Sequence, residues 1–197
     1  MLLIVPSSER LTSAMRSLEA AFLIGVEGAT EIWLVRHADC YEDMLEGEDP
    51  PLSKRGREQA ARLAERVKRV APAAIYASPY RRAVETAAFL SDDVHVDPRL
   101  VEMAMSLEDD GRFDFTETPD AVIERIGAVI NEIAAAHPGQ RVLVVTHGAA
   151  LITYLTHVLH MEPGQLRFLP FYTSVTIVRV LGDLQMIGSI GDTAHLE

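Results

Sequence analysis

The chain has 197 residues, 48% of them hydrophobic, with 18 Lys and Arg against 29 Asp and Glu and a formal net charge of −11. That is enough chain and apolar content for one sizeable core. The negative balance argues against nucleic acid as a partner, whose phosphates call for a basic surface, and against electrostatic docking on anionic membranes; an anionic substrate would have to be drawn by a local basic pocket.

The first residues, MLLIVPSSER, lack the basic and long apolar stretches of a secretory signal. Across the chain no apolar run approaches the ~20 residues of a membrane span, so no membrane partner is expected. Residues 8–24 read as a helix, with Leu11, Met15, Leu18 and Phe22 on one face and Ser7 or Ser8 as its cap. This stripe either docks on the chain's own domain, the simpler expectation, or pairs between subunits of a homodimer. EIWLVR, 31–36, is the first strand, and 39–51 an acidic loop. Within it Cys40, the single cysteine, cannot form an internal disulfide and fits a reducing cytoplasm. Ser53 caps a helix reaching about residue 70, with Ala60, Leu63 and Val67 inward.

AAIYAS, 73–78, is the second strand, followed by a helix opened by Pro79. VHVDPRL, 94–100, reads as a short third strand, and 103–118 as an acidic loop. An amphipathic helix spans 119–136 (Val122, Ile123, Ile126, Val129, Ile130, Ile133), the fourth strand 141–146, and a helix 148–160. SVTIVRVL and LQMIGSI, joined at Gly182-Asp183, form an antiparallel hairpin. There is no internal repeat or Pro/Gly-rich linker. The alternation of elements predicts an α/β fold: a three-layer α/β/α sandwich with a mostly parallel central sheet and the C-terminal antiparallel hairpin at one edge.

Polar groups of unusual type cluster where strands end. Arg36 and His37 follow EIWLV, and His147 follows RVLVVT; in open α/β sheets the carboxyl ends of strands are where ligands bind. Phosphoryl transfer needs an in-line nucleophile and groups that neutralise the equatorial oxygens. Imidazole is a good nucleophile near neutral pH, and the arginine fork matches two phosphate oxygens. A leaving alkoxide needs a proton donor, typically a carboxylic acid. Cys40 is read as a small residue at the pocket rim. His157 and His160 share a helix face but lack the companion ligands of a metal site.

The ordered segments RHAD (36–39), LSKRGREQA (52–60), SPYRRAVETA (78–87), RLVE (99–102) and VVTHGAAL (144–151) resemble the histidine phosphatase superfamily in its phosphoglycerate-mutase-like branch. The resemblance runs from about residue 31 to the end, which divides the chain into an N-terminal helical extension, 1–30, and a histidine phosphatase domain, 31–197. It implies that His37 is the nucleophile that becomes phosphohistidine, that Arg36 and Arg82 bind phosphate with Arg81 facing outward, and that His147 is the second core histidine, binding phosphate and stabilising transferred charge. Glu102 matches the acid and base. No metal or other cofactor is implied.

The chain departs from the family's RHGExxxN segment. Ala38 and Asp39 replace Gly and Glu, and Asp43 falls where the Asn would sit, a position from which it would repel phosphate. Asp39 and Asp43 are rival proton donors. The resemblance implies a metal-independent phosphatase acting on a small phosphorylated molecule. The alternatives are a phosphoglycerate mutase, disfavoured because residues 102–120 carry only Arg112 as a basic group, and a module that binds phosphate without turnover. The segments 40–50, 102–120 and 161–171 would set specificity, with Phe113, Phe115, Phe168 and Phe171 available to an apolar leaving group.

Overall fold

The computed structural model describes residues 8–40 and 49–197, so Ser7, Asp43 and most of the acidic loop lie outside the described residues. In chain order the elements are α1 (Ser8–Ala21), β1 (Thr30–Arg36), α2 (Lys54–Val70), β2 (Ala74–Ala77), α3 (Arg81–Ala88), β3 (His95–Val96), β4 (Met105–Leu107), β5 (Phe113–Phe115), α4 (Pro119–Ala136), β6 (Arg141–Thr146), α5 (Gly148–Val158), β7 (Val175–Leu181) and β8 (Leu184–Asp192). Six strands form one sheet in the order β3-β2-β6-β1-β7-β8. The first four of that order run parallel, and β7 and β8 are antiparallel to their neighbours.

The strands at the centre are apolar on both sides because both faces are covered. On one face Trp33, Val35, Leu143 and Val145 meet Leu63 and Val67 of α2 and Ala83 and Ala87 of α3. On the other, Ile32, Leu34, Val142 and Val144 meet α4 and α5 through side chains such as Ile126, Ile130, Leu151 and Tyr154. The predicted three-layer arrangement is the one observed. Ser53 caps α2 by accepting from the Gly56 amide, and Thr118 caps α4 by accepting from the Ala121 amide.

Four local expectations are corrected. The strand expected over 94–100 is only His95–Val96, because Pro98 has no amide proton to give a ladder and opens a 3-10 turn, Pro98–Leu100, capped by Asp97. The stretch 103–118 is not all loop: β4 and β5 pair antiparallel, Met105 opposite Phe115, and the reversal between them uses Gly111 at φ +80°. Strands of three residues are too short to show a period in sequence. α5 ends at Val158, and His160 beyond it has φ +52°, so His157 and His160 do not share a helix face. Lastly, α1 is helical as expected but has no buried residue, and Leu11, Met15, Leu18 and Phe22 remain 49–54% exposed rather than docked on the domain.

The register of the sheet positions the site. Arg36 lies opposite Thr146, and Ala77 opposite Val145. His37, His147 and Ser78 therefore leave three adjacent parallel strands at one level. β7 runs the other way, with Val175 opposite Val35. The residues just before β7 consequently arrive at the same edge.

Candidate active site

His37 continues β1 by donating its amide to the Thr146 carbonyl at 2.9 Å, and the residue is 2% exposed. Nδ1 lies 2.8 Å from the carbonyl oxygen of Ala38. A carbonyl only accepts, so Nδ1 carries the proton and Nε2 keeps its lone pair. Burial, followed by the positive charges of Arg82 and Arg36, outweighs the Ala38 hydrogen bond and pulls the His37 pKa down to about 3. The imidazole is neutral, the state a nucleophile requires.

The ring of His147 stands 5.1 Å from that of His37. Its Nε2 is 2.7 Å from Ser78 Oγ, and its Nδ1 is buried with no hydrogen-bond partner among the described residues. Ser78 Oγ also accepts from the Tyr80 amide at 3.3 Å; with its own proton given to Nε2, the ring proton sits on Nδ1. His147 is thus oriented to donate from Nδ1. Its pKa is well below the ordinary histidine value, through burial first, then through competition with His37 for a positive charge, and then the charges of Arg82, Arg125 and Arg36.

Each of the two arginines lies over a tyrosine ring. The Arg36 guanidinium carbon is 3.9 Å from the centre of the Tyr172 ring, and that of Arg82 is 4.7 Å from the Tyr80 ring. Arg36 donates from Nη1 to the Pro170 carbonyl at 2.8 Å, and Arg82 from Nη1 to Asp49 Oδ1 at 3.2 Å. The Nε of each is buried and makes no hydrogen bond among the described residues. Buried donors of this kind are uncommon unless a ligand takes them. The same tyrosines reach the histidines: Tyr172 is 5.8 Å from His37 and Tyr80 is 5.1 Å from His147, ring to ring. Arg81, by contrast, faces outward and pairs with Glu85.

His147 occupies the N-cap position of α5 but makes no side-chain cap. Glu102 supplies it from outside, accepting from the amides of Ala149 at 3.2 Å and Ala150 at 2.7 Å, and also from the Met103 amide at 2.9 Å. A helix start leaves such amides without intrahelical partners. The sequence-predicted residues Arg36, His37, Arg82, Glu102 and His147 thus converge on one edge of the sheet. Of the rival donors, Asp39 uses its backbone to anchor α2, accepting from the Ser53 amide and donating to Gln59 Oε1. Asp43 lies outside the described residues.

Other residues of the site escaped the sequence reading. Thr86 accepts from the Ala38 amide at 2.9 Å and donates to the Arg82 carbonyl, so one hydroxyl ties the nucleophile's loop to the second arginine. Buried Gln59 ties Asp39 to α2. Tyr172 was detectable only through topology, as the segment preceding an antiparallel strand beside β1. The Cys40 thiol is buried, and burial raises its pKa to about 11, which keeps it protonated and unreactive. Of the aromatics expected near the substrate, Phe171 neighbours Tyr172, with ring centres 6.1 Å apart. Phe115 is exposed on β5. Phe168 instead covers Gly191, whose added Cβ would lie 2.6 Å from the Phe168 Cζ. The side chain of Phe113 lies outside the described part of the structure.

Similarity to known proteins matches this geometry. The profile of the histidine phosphatase superfamily (branch 1) matches residues 32–110 and 105–193. A probable phosphoglycerate mutase of Cronobacter sakazakii is 27% identical, covering 85% of this chain and 95% of its own. A metal-independent phosphoserine phosphatase of Arabidopsis thaliana is 28% identical, covering 85% of this chain and 83% of its own. Among solved structures, Bacillus stearothermophilus YhfR superimposes with a TM-score of 0.72 at 29% identity, covering 85% of this chain and 100% of its own. The phosphoserine phosphatase of Entamoeba histolytica bound to 3-phosphoglyceric acid shares the fold with a TM-score of 0.72 at 22% identity, with the same coverage. With the profile matching from β1 through β8 and the buried histidines and arginines gathered where those strands end, the chain belongs to the histidine phosphatase superfamily, branch 1.

Proposed function

We propose that the protein is a metal-independent phosphatase that hydrolyses phosphomonoesters of small molecules through a phosphohistidine on His37. The observation that carries this reading is the neutral His37 ring, its Nδ1 proton held by the Ala38 carbonyl, set among two arginines whose buried Nε groups have no partner among the described residues. In the first half-reaction the Nε2 lone pair attacks phosphorus. Arg36, Arg82 and the Nδ1–H of His147 neutralise the non-bridging oxygens, and the P–O bond to the alcohol breaks. Protonated Glu102 gives its proton to the departing oxygen. In the second, water attacks phosphohistidine, Glu102 takes the water's proton, the P–N bond breaks, and phosphate leaves. The Arabidopsis relative named a metal-independent phosphoserine phosphatase supports the reaction class.

The relatives named as probable phosphoglycerate mutases favour a second reading, phosphoryl transfer between positions of one substrate. The same site would carry it, with an alcohol in place of water. Incubating the protein with 3-phosphoglycerate in chelator separates the two. Hydrolysis gives free phosphate without isomerised product; mutase action gives isomerisation that depends on a bisphosphate primer. Retention of full activity toward an aryl phosphate by His37→Ala would overturn both.

A further inference from the structure

Arg125 projects from α4 into the turn that carries Glu102 and spends every N–H it has there. Nε donates to Glu117 Oε1 at 2.7 Å, and one Nη2 bond goes to Glu117 Oε2 at 2.9 Å. Nη1 donates to the carbonyls of Arg99 at 2.7 Å and Val101 at 2.8 Å, and Nη2 to that of Glu102 at 3.2 Å. A guanidinium has five donors in a rigid plane, and each has an acceptor. The intervening carbonyl, Leu100, accepts from Thr146 Oγ1 at 2.9 Å in a buried contact. Four successive carbonyls, from Arg99 to Glu102, are therefore fixed, three by Arg125 and one by the residue immediately before His147.

The clamp continues on the other side of Glu102. Glu117 Oε2 also accepts from the Ala104 amide at 3.1 Å, and the Ala104 carbonyl accepts from the Thr116 amide at 2.9 Å. The pair is largely buried, with side chains 16% and 18% exposed. In a dry setting this bidentate pair keeps its geometry, whereas an exposed ion pair is weak and mobile. Its stabilising contribution to the fold is a separate matter; what it fixes is the backbone on both sides of one carboxylate. Proton transfer needs that carboxylate within hydrogen-bond reach of the leaving oxygen, and a misplacement of about 1 Å can cost about 100-fold in rate.

We infer that Arg125 and Glu117 are positioning residues for Glu102, locking its turn to the His147 strand so that the carboxylate faces the leaving group. This rests on the reading of Glu102 as the acid and base. The test compares kcat/KM, which reports only the steps through phosphoenzyme formation, for an alkyl phosphate and for 4-nitrophenyl phosphate. The alkoxide needs a proton on departure, and 4-nitrophenolate does not.

Glu102→Gln should lower the alkyl rate far more than the aryl rate. Glu117→Gln, which keeps the carbonyl bonds of Arg125, and Arg125→Lys should show the same selectivity, with a roughly 10-fold or greater loss on the alkyl ester at nearly unchanged KM. In the Glu102→Gln background, Glu117→Gln should add little. If Glu102→Gln shows no leaving-group selectivity, the acid–base reading itself fails. If Glu102→Gln is selective but Glu117→Gln and Arg125→Lys lower both substrates equally, or add fully to Glu102→Gln, the positioning proposal is overturned and the pair is only structural.

Discussion

Ser78 shows how much of the chemistry rests on single atoms. Its hydroxyl is 2.7 Å from His147 Nε2 and fully buried. Removing it leaves that nitrogen without a partner, which costs about 1–3 kcal/mol for a buried polar group, and frees the ring to hold its proton on either nitrogen. Ser78→Ala should lower Tm by that cost and, with the ring proton no longer held on Nδ1, lower kcat/KM about 10-fold or more; unchanged kinetics would contradict the tautomer assigned to His147. Arg36, His37 and His147 were legible in sequence because a charge and two imidazoles ending apolar strands have no packing explanation. Ser78, Tyr80, Tyr172 and Thr86 carry no such signal. Their roles come from register and from the packing of α3 against β2 and β6, neither of which has a local signature.

At the level of elements, the helix starts are built into the site. The first turn of α2 rests on the backbone of Asp39, where the Ser53 amide meets the Asp39 carbonyl. A Cβ on Gly56 would fall 1.9 Å from that carbonyl oxygen. Gly56→Ala must push α2 away from the loop after the nucleophile, and overpacking of this kind typically costs about 1–3 kcal/mol or more. A lower denaturation midpoint together with a loss of turnover is expected. Gly127 in α4 is the control, since an added Cβ meets nothing within 4 Å. Gly127→Ala should be neutral or stabilising by up to about 1 kcal/mol, from helix propensity alone. If both substitutions behave alike, the close approach at Gly56 is not what the LSKRG segment provides. The long elements α2, α4, β1 and β6 were predictable from strong periodicity or apolar runs. The β4–β5 hairpin and the truncation of β3 were not: the first is too short for a period, and the second is set by a single proline.

On the scale of the whole molecule, the site sets the acid limit of the fold. Folding holds His37 near a pKa of about 3 and lowers His147 as well, in each case chiefly through burial. Unfolded, each takes up a proton near pH 6.5. Below that value the unfolded chain binds protons that the native one does not, so the stability present above pH 6.5 is lost progressively as pH falls toward 3. Tm should fall steadily between pH 7 and pH 4. Inorganic phosphate or vanadate, bound only by the native state, should raise Tm, and less so in His37→Ala. A Tm indifferent to pH across that range would contradict the neutral histidine pair. The claim on which everything else depends is the covalent one. Rapid quenching into alkali during turnover of a radiolabelled phosphomonoester, followed by peptide mapping, should place an acid-labile, alkali-stable label on the peptide containing His37 and none on His37→Ala. Turnover without any labelled protein, or label on Ser78, Cys40 or His147 instead, would contradict the account.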